Sequence, residues 1–444
     1  MRSMDIPLSS LVHDAPEQGV FSCSSALYTD EEVFAAGMQQ LFFGGWVFLG
    51  LEAEVQVPHA YRTLKIGEVS LLLMRDGQGQ LRCLHNRCGH RGAQLCDTPC
   101  GTRPVHICRY HGWTYQSDGH LKGAPACEAG CYTPGAAPTA GRLQEIARLQ
   151  CHAGFIFGSL QSNVEPLEEF LGEVTRYLDL FAQMSPDGLE VIPGPVTFTY
   201  RGNWKLLADN TLDYHHFAAV HGSLVQVFSG RQGQPSSVPP CEPWEETSDE
   251  VNGTATTPQG HAMMYAIRAP IRELPKPLRF DAQAMRRISA EHGEGTLRWM
   301  LRQRNVVIFP NLQLIDASAL QVRVLRPLEA GLTEVTTYSI APRGEPRDVR
   351  VRRVANYNEF FGPGGLGQPD DSMVFERVQA GVRSFSPLSL QGFGRGMALN
   401  ATDTLLAREL GIAESNIRSG SLGLGDESGP RAFYRAWLVR MQRG

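Results

Sequence analysis

The sequence predicts an α+β fold in which a small all-β unit is inserted into a larger domain of helices and strands. Residues 61–86 alternate or run apolar, as β-strands do. On both sides of this segment, apolar side chains recur at the three- and four-residue spacing of helices. Residues 297–316 and 319–342 are long β-rich runs that could form an antiparallel sheet in the larger domain.

The composition limits the class of protein. The chain has 444 residues, of which 42% are hydrophobic and 20% charged, which is enough for two or three cores. A formal net charge of −5 gives no basic field, so we expect neither a nucleic-acid nor a membrane partner. The sequence has no stretch of the ~18 apolar residues that span a bilayer and no secretory signal. We therefore expect a cytoplasmic protein that acts on a small molecule.

Local patterns place the individual elements. Thr29 and Glu32 have the spacing of a capping box at the start of a helix. Residues 76–79 contain the Asp-Gly signal of a hairpin turn, and residues 165–181 repeat the apolar spacing of a helix. At the other end of the chain, three large apolar residues at four-residue spacing predict a core-facing helix: Phe433, Trp437 and Met441.

The β unit has a recognisable end. Residues 123–141 are rich in glycine, proline and alanine and predict a long surface loop, after which residues 151–160 supply a last strand. We therefore divide the chain into three parts. Residues 1–44 are a helical part of the larger domain, residues 45–160 are the β unit, and residues 161–444 complete the larger domain.

The cysteines indicate a metal site in the β unit, since seven of the ten lie between residues 83 and 131. Cys88-Gly89-His90 is followed, after seventeen residues, by Cys108-Arg109-Tyr110-His111, so two segments each offer one thiolate and one imidazole. In a Rieske [2Fe–2S] centre, one iron takes two cysteines and the other two histidines, so each segment would supply one ligand to each iron. The alternative is a zinc site that combines the second segment with Cys96 and Cys100, but it leaves the first segment unused.

The segments “CGHRG” and “CRYHGWTY”, residues 88–92 and 108–115, resemble the Rieske signature of aromatic-ring-hydroxylating oxygenases. The resemblance implies an all-β Rieske domain inserted in a catalytic domain of the helix-grip type, an antiparallel sheet covered by helices. It also implies four cluster ligands: Cys88, His90, Cys108 and His111. The remaining cysteines match nothing in the motif and are interpreted as reduced thiols.

A second group of polar residues lies in “DYHHFAAVH”, residues 213–221, which follows an amphipathic run. Two histidines and one carboxylate are the common ligands of a mononuclear non-haem Fe(II) that activates O2. Helical geometry does not select the pair, because His216 and His221 would lie about 140° apart on a regular helix. If both bind one metal, the helix must bend or break between them.

The resemblance selects the residues of this second site. The stretch “DNTLDYHHFAAVH” is similar to the family's catalytic motif, Asn-x2-Asp-x2-His-x4-His, which falls on four positions: Asn210, Asp213, His216 and His221. The two histidines are the implied iron ligands, with His215 as a second choice. The resemblance gives Asp213 a bridging role between an iron-ligand histidine and a cluster-ligand histidine of the adjacent subunit.

The third ligand is expected far downstream, in a glycine-rich segment that ends in acidic residues. Residues 361–373, “FGPGGLGQPDDSM”, resemble that segment and favour Asp371, with Asp370 as the near alternative and Glu376 as a distant one. The glycines do not match a phosphate-binding or dinucleotide-binding loop, because no Lys-Ser or Lys-Thr follows them.

The sequence has no nicotinamide or flavin motif, so electrons must come from another protein. The resemblance implies that electrons from NAD(P)H arrive through a reductase, a ferredoxin or both. It also implies a homotrimer or an α3β3 assembly with a small β subunit. The predicted function is the terminal oxygenase of a ring-hydroxylating dioxygenase, which uses O2 to form a cis-dihydrodiol from an aromatic substrate.

The substrate is less determined than the reaction. The motifs are most similar to those of family members that act on aromatic acids, and an anionic substrate would need a buried cation. Four arginines are candidates for it: Arg302, Arg304, Arg323 and Arg383. Monooxygenation, as hydroxylation or demethylation, remains the alternative within the family. A non-enzymatic Rieske electron carrier is the alternative outside it, although ~100 residues would suffice for a carrier.

Overall fold

The structure is a computed structural model of the chain. It describes residues 6–125, 141–222, 253–266, 280–317, 319–362, 364–384, 386, 389–398, 409–412, 417–419 and 426–442. The chain divides into two compact units, a larger one that combines Met1–Leu41 with Glu168–Gly444 and a smaller one, Phe42–Leu167. Most of the loop predicted at residues 123–141 lies outside the described residues, as do Cys127, Cys131 and Cys241.

The secondary structure follows in chain order. The strands of the first half are β1 Val12–Ala15, β2 Val20–Ser24, β3 Val47–Leu51, β4 Ala60–Ile66, β5 Val69–Arg75, β6 Leu81–His85, β7 Cys100–Thr102, β8 Val105–Ile107, β9 Thr114–Gln116, β10 Leu121–Gly123, β11 Arg148–His152 and β12 Phe155–Ser159. Those of the second half are β13 Leu189–Val191, β14 Val196–Tyr200, β15 Gly253–Thr256, β16 Ala262–Ala266, β17 Gln303–Ile308, β18 Leu312–Asp316, β19 Leu320–Glu329, β20 Leu332–Pro342, β21 Leu390–Gly392 and β22 Ile417–Ser419. The helices are α1 Ala26–Thr29, α2 Glu31–Gly37, α3 Leu167–Leu171, α4 Val174–Ala182, α5 Trp204–Thr211, α6 His216–Val220, α7 Ala282–His292, α8 Glu294–Leu301, α9 Arg347–Phe361, α10 Gln368–Arg383 and α11 Ser428–Met441.

The described residues of the smaller unit form three antiparallel sheets, with strand orders β6-β5-β4-β7, β10-β9-β8 and β11-β12-β3. The hairpin predicted at residues 76–79 is confirmed, because it joins β5 to β6. Its Asp76 Oδ1 accepts hydrogen bonds from the N–H groups of Gln78 and Gln80, at 3.0 and 2.8 Å. The side chain therefore replaces backbone partners in the turn.

A nine-stranded antiparallel sheet dominates the larger unit. Its strand order is β13-β20-β19-β18-β17-β16-β15-β22, and β14 pairs with β20 in addition. The two β-rich runs of the sequence form its centre, where the inward side chains of β17, β18 and β19 are buried. The predicted antiparallel sheet is therefore confirmed, and a small sheet of β1, β2 and β21 accompanies it.

Helices of the larger unit pack on this sheet and on one another. Helix α5 contacts β17 and β19, α9 contacts β19 and β20, and α10 contacts α5 and α6. The predicted core-facing helix near the C-terminus is confirmed as α11, since Phe433, Trp437 and Met441 are all buried. These contacts bring the motif at residues 209–221 close to the segment after residue 367.

The capping box predicted at Thr29 and Glu32 is wrong by one residue. The cap of α2 is Asp30, whose Oδ1 accepts hydrogen bonds from the Glu32 and Val33 N–H groups, each at 2.9 Å. Thr29 ends α1 instead, and its hydroxyl donates to the Ser25 carbonyl. A carboxylate competes well for the free amides of a first turn, because it accepts two bonds and carries a negative charge.

Two other predictions need adjustment. The β-rich run at residues 297–316 begins in α8, because a short apolar run does not distinguish a buried helix from a strand. The helix predicted over residues 165–181 is split into α3 and α4 at Gly172, whose φ is +53°. That left-handed conformation suits glycine and ends a helix. None of the described helices is long and apolar enough to cross a membrane.

The central strands of the sheet should carry much of the stability. We expect Leu314→Ala in β18 to lower the free energy of unfolding by about 2–5 kcal/mol, because Leu314 is fully buried and the substitution leaves a cavity. Urea denaturation measures this change. Leu390→Ala is the control, since Leu390 is 59% exposed, and an equal effect of both substitutions would contradict the assignment of the core.

Candidate active site and cluster site

Two loops of the smaller unit carry the predicted cluster residues, and their backbones make the same hydrogen bonds. In each loop the cysteine N–H donates to the carbonyl five residues later, and the N–H four residues later donates to the cysteine carbonyl. In the first loop, the Cys88 N–H donates to the Ala93 carbonyl at 2.8 Å and the Gly92 N–H donates to the Cys88 carbonyl at 2.9 Å. In the second loop, the Cys108 N–H donates to the Trp113 carbonyl at 2.7 Å and the Gly112 N–H donates to the Cys108 carbonyl at 2.9 Å. Both glycines have a positive φ, +75° and +71°, which explains the glycine in each motif.

The side chains of the four predicted cluster ligands lie at these loops. Cys88 and Cys108 are buried, and the ring centroids of His90 and His111 are 4.6 Å apart. Nδ1 of each histidine is buried and makes no hydrogen bond within the part of the chain that the structure describes. A buried ring nitrogen without a partner is costly, and an iron ion is a partner that it can bind.

Two aromatic side chains of the second signature segment, Trp113 and Tyr115, complete this site. The Trp113 ring stacks on His90, with centroids 4.8 Å apart and an angle of 4° between the planes. The Tyr115 hydroxyl lies 3.4 Å from Cys88 Sγ and accepts from the Gly89 N–H. Burial raises the pKa of Tyr115, so the phenol keeps its proton beside the sulfur. Both residues belong to the motif “HGWTY”, where their spacing was the available signal.

The geometry does not favour the zinc alternative. Among the described residues, one group of metal-ligating side chains has all its ligand atoms within 4.8 Å of one another. That group lies in the larger unit and contains no cysteine. Cys96 Sγ instead lies 3.3 Å from Thr98 Oγ1, and Cys100 is exposed. The thiolates and imidazoles of the two loops therefore fit a two-iron cluster better than a single ion.

In the larger unit, α5 and α6 position the second motif. The Asn203 side chain caps α5 by accepting from the Lys205 N–H, and the helix ends at Thr211. Asp213 then accepts from the His215 N–H at 2.7 Å, and α6 runs from His216 to Val220. His221 follows the helix with φ −99° and ψ 28°. The helix therefore ends immediately before His221, whose N–H still donates to the Phe217 carbonyl at 3.0 Å.

Three side chains converge beside this helix. His221 Nε2 lies 3.2 Å and His216 Nε2 3.7 Å from the same oxygen, Asp371 Oδ1. Their ligand atoms all lie within 4.8 Å of one another, and the side chains of His221 and Asp371 are almost fully buried. This triad joins α6 to the first turn of α10.

A second carboxylate faces the outer nitrogen of each imidazole. Asp213 Oδ2 lies 3.9 Å from His216 Nδ1, and Asp370 Oδ2 lies 3.6 Å from His221 Nδ1. Both Nδ1 atoms are buried and, among the described residues, have no hydrogen-bond partner at normal length. Asp370, the alternative ligand, therefore lies on the far side of His221 from the shared point.

The other candidate residues have distinct positions. Asn210 Nδ2 donates to Asp371 Oδ1 at 3.3 Å. His215 is exposed and lies outside the triad. Glu376 Oε1 accepts from the Arg201 N–H instead of facing the triad.

A cavity opens beside the triad. We call it the active-site cavity, and its walls are largely apolar: Phe217, Met264, Ile315, Phe360 and Phe361. Of the four candidate arginines, Arg323 lines it, whereas the Arg304 guanidinium is paired with Asp316 at 2.6 Å and the Arg302 guanidinium lies over the Trp299 ring. Arg383 does not line this cavity. An apolar cavity with a triad at one wall can hold a ring against a metal.

Comparisons with known proteins agree with both sites. A family model described as “Ring hydroxylating alpha subunit (catalytic domain)” matches residues 179–443, and one described as “Rieske [2Fe-2S] domain” matches residues 45–152. The chain belongs to the ring-hydroxylating α subunits. It is the large, catalytic subunit of a dioxygenase, with a Rieske [2Fe–2S] domain and a non-haem iron catalytic domain.

Individual relatives match 84–98% of this α subunit. The toluate 1,2-dioxygenase subunit alpha of Pseudomonas putida is 34% identical over 382 residues, 84% of this chain and 82% of that protein. The 2-halobenzoate 1,2-dioxygenase large subunit of Burkholderia cepacia is 33% identical over 442 residues, 98% of this chain and 93% of that protein. The crystal structure of naphthalene 1,2-dioxygenase from Rhodococcus sp., bound to indole, has a TM-score of 0.83 and covers 95% of this chain and 94% of that chain. Because the identity to that structure is 24%, it shows the fold, and the predicted α+β class is confirmed.

The charges around the triad of the α subunit suit a cation. Burial of Asp371 opposes ionisation, but His221, His216 and Arg323 outweigh it and hold the pKa of the carboxyl below its usual range. Burial also lowers the pKa of His216, although Asp371 and Asp213 act in the opposite direction and raise it. An ionised carboxylate and a neutral imidazole are the forms that bind a metal.

The site should lose its single iron without losing the cluster when His221 is replaced. Anaerobically reconstituted wild-type α subunit should hold about three irons per chain, and His221→Ala about two, with the visible absorption of the cluster retained. His215→Ala is the control and should keep the wild-type iron content, because His215 lies outside the triad. Loss of the cluster absorption in His221→Ala would show that the two sites have been confused.

Proposed function

We propose that this α subunit cis-dihydroxylates an aromatic carboxylate, with His216, His221 and Asp371 as the ligands of the mononuclear iron. One observation carries the proposal: two imidazole nitrogens and a buried carboxylate oxygen face one point on the wall of an apolar cavity. The printed names of the two relatives, a toluate and a 2-halobenzoate dioxygenase, support an aromatic acid as the substrate.

The residues around the triad have separate roles in this proposal. The triad would hold Fe(II), which would supply the activation of O2. Asn210 donates to Asp371 Oδ1 and thereby fixes the orientation of the carboxylate. The Asp213 and Asp370 carboxylates lie 3.9 and 3.6 Å from Nδ1 of His216 and His221 and favour a proton on that nitrogen, which leaves Nε2 of each ring free to bind the metal. Phenylalanine side chains of the cavity wall exclude water from the reacting ring.

We propose Cys88, His90, Cys108 and His111 as the ligands of the Rieske cluster, which would supply single electrons to the mononuclear site. We further propose that a ferredoxin or a reductase supplies them from NAD(P)H, and that the chain works as a homotrimer or an α3β3 assembly. Asp213 is proposed to bridge a metal-ligand histidine and a cluster-ligand histidine of the adjacent subunit. Its side chain is one-third exposed and is therefore accessible to a partner.

The substrate class can be tested by turnover. We expect the purified α subunit, with its β subunit if one co-purifies and with a surrogate reductase system, to oxidise benzoate, toluates and halobenzoates in preference to toluene and naphthalene. Mass spectrometry with isotopically labelled O2 should show two oxygen atoms in each product. Incorporation of a single atom would indicate a monooxygenase, and consumption of hydrocarbons alone would contradict the aromatic-acid proposal.

Asp213 should affect electron transfer more than metal binding. We expect Asp213→Asn to keep both metals and to lower the rate at which O2 reoxidises the reduced cluster in the presence of substrate by about 10- to 100-fold, as expected when a residue that orients a metal ligand is lost. Single-turnover stopped-flow absorption measures this rate. Glu376→Gln is the control, because Glu376 contacts the Arg201 backbone. Near-normal turnover by Asp213→Asn would contradict the bridging role.

A further inference from the structure

Arg323 is a buried cation at the wall of the active-site cavity. It projects from β19, is 4% exposed and lines the cavity together with the triad. Its Nε–H donates to Gln321 Oε1 at 2.7 Å, and its guanidinium carbon lies 5.5 Å from the centre of the Phe361 ring. These two contacts fix the plane of the guanidinium but engage one of its five N–H groups.

Three other buried arginines in the larger unit have a paired charge, while the buried Arg302 guanidinium lies over the Trp299 ring. Arg304, Arg353 and Arg431 each have a carboxylate oxygen within 2.8 Å, supplied by neighbouring residues: Asp316, Glu345 and Asp426. In the described portion of the chain, no carboxylate oxygen lies within 4.0 Å of the Arg323 guanidinium. Asp371 is the acidic group that acts on it most strongly, and that carboxylate also faces both imidazoles of the triad.

A buried guanidinium without an adjacent anion is unfavourable, because the interior does not replace its hydration. The cost is recovered when an anion enters and accepts two parallel N–H bonds, as carboxylates do from arginine. We propose that Arg323 binds the carboxylate of the aromatic substrate and thereby determines the preference for aromatic acids. The proposal rests on the proposed function and deepens it.

This assignment also places the ring. A carboxylate bound at Arg323 leaves the attached ring among Phe217, Phe360 and Ile315, beside the triad. Arg323 would then be a specificity residue, since it holds the substrate through its carboxylate group. The competing role is electrostatic support of Asp371 alone, in which case the charge on the substrate would be irrelevant.

Binding and turnover together separate the two roles. The variants are Arg323→Gln and Arg323→Met, with Arg326→Gln as the matched control, because Arg326 lies on the same strand and pairs with Glu334 outside the cavity lining. Iron-loaded protein without O2 is titrated with benzoate and with benzamide, its neutral analogue, by calorimetry and by thermal shift. Iron content and the circular dichroism spectrum verify that each variant is folded and loaded.

We expect both Arg323 variants to weaken benzoate binding by about 10- to 100-fold and to abolish the stabilisation by benzoate, with little change for benzamide. With the reductase system, KM for benzoate should rise much more than kcat falls. Arg326→Gln should behave as wild type in every measurement.

Three results would overturn the proposal. Equal losses for benzoate and benzamide, or loss of iron, would assign Arg323 to the support of Asp371. Unchanged benzoate affinity in a folded, iron-loaded variant would exclude the residue from substrate binding. If the wild type neither binds nor oxidises aromatic acids, the proposed function itself is wrong. If the wild type is active and the Arg323 variants bind and oxidise benzoate equally well, only the Arg323 inference is wrong.

Discussion

The convergence of two imidazoles on one buried carboxylate oxygen is the contact on which the larger unit's chemistry depends. Asp371 can remain ionised in the interior because His216, His221 and Arg323 surround it. The two histidines face this oxygen because α6 ends between them, and the aspartate is present because α10 packs against α5 and α6. The sheet contributes a rigid surface on which these helices are held.

Charge at this site is distributed in two shells. The inner shell is the triad, and the outer shell consists of Asp213 and Asp370, one beyond each imidazole. Two anions outside and one inside favour a divalent cation at the shared point. Arg323 adds a positive charge to the lining of the same cavity. The electrostatic arrangement therefore suits an acid better than a neutral hydrocarbon.

Sequence motifs were sufficient to predict the family, the α+β class, the β hairpin and the candidate residues of both sites. They were insufficient where the outcome depended on pairing between distant strands. Arg304 and Arg323 lie on strands of the same sheet, and only the register decides that one meets Asp316 and the other lines the cavity. The choice between Asp370 and Asp371 likewise depends on how α10 is rotated against α6, which spacing alone does not specify. The cap at Asp30 could have been predicted, because aspartate competes with threonine for the same amides.

The short length of α6 has a consequence for how the enzyme loses activity on heating. A five-residue helix has too few internal hydrogen bonds to persist in isolation, so neighbouring segments must impose its shape. Segments of this kind open more readily than the interior of a large sheet. Heat or mild denaturant would then dismantle the reactive centre while the β scaffold is still intact, and the temperature of inactivation would fall below that of melting.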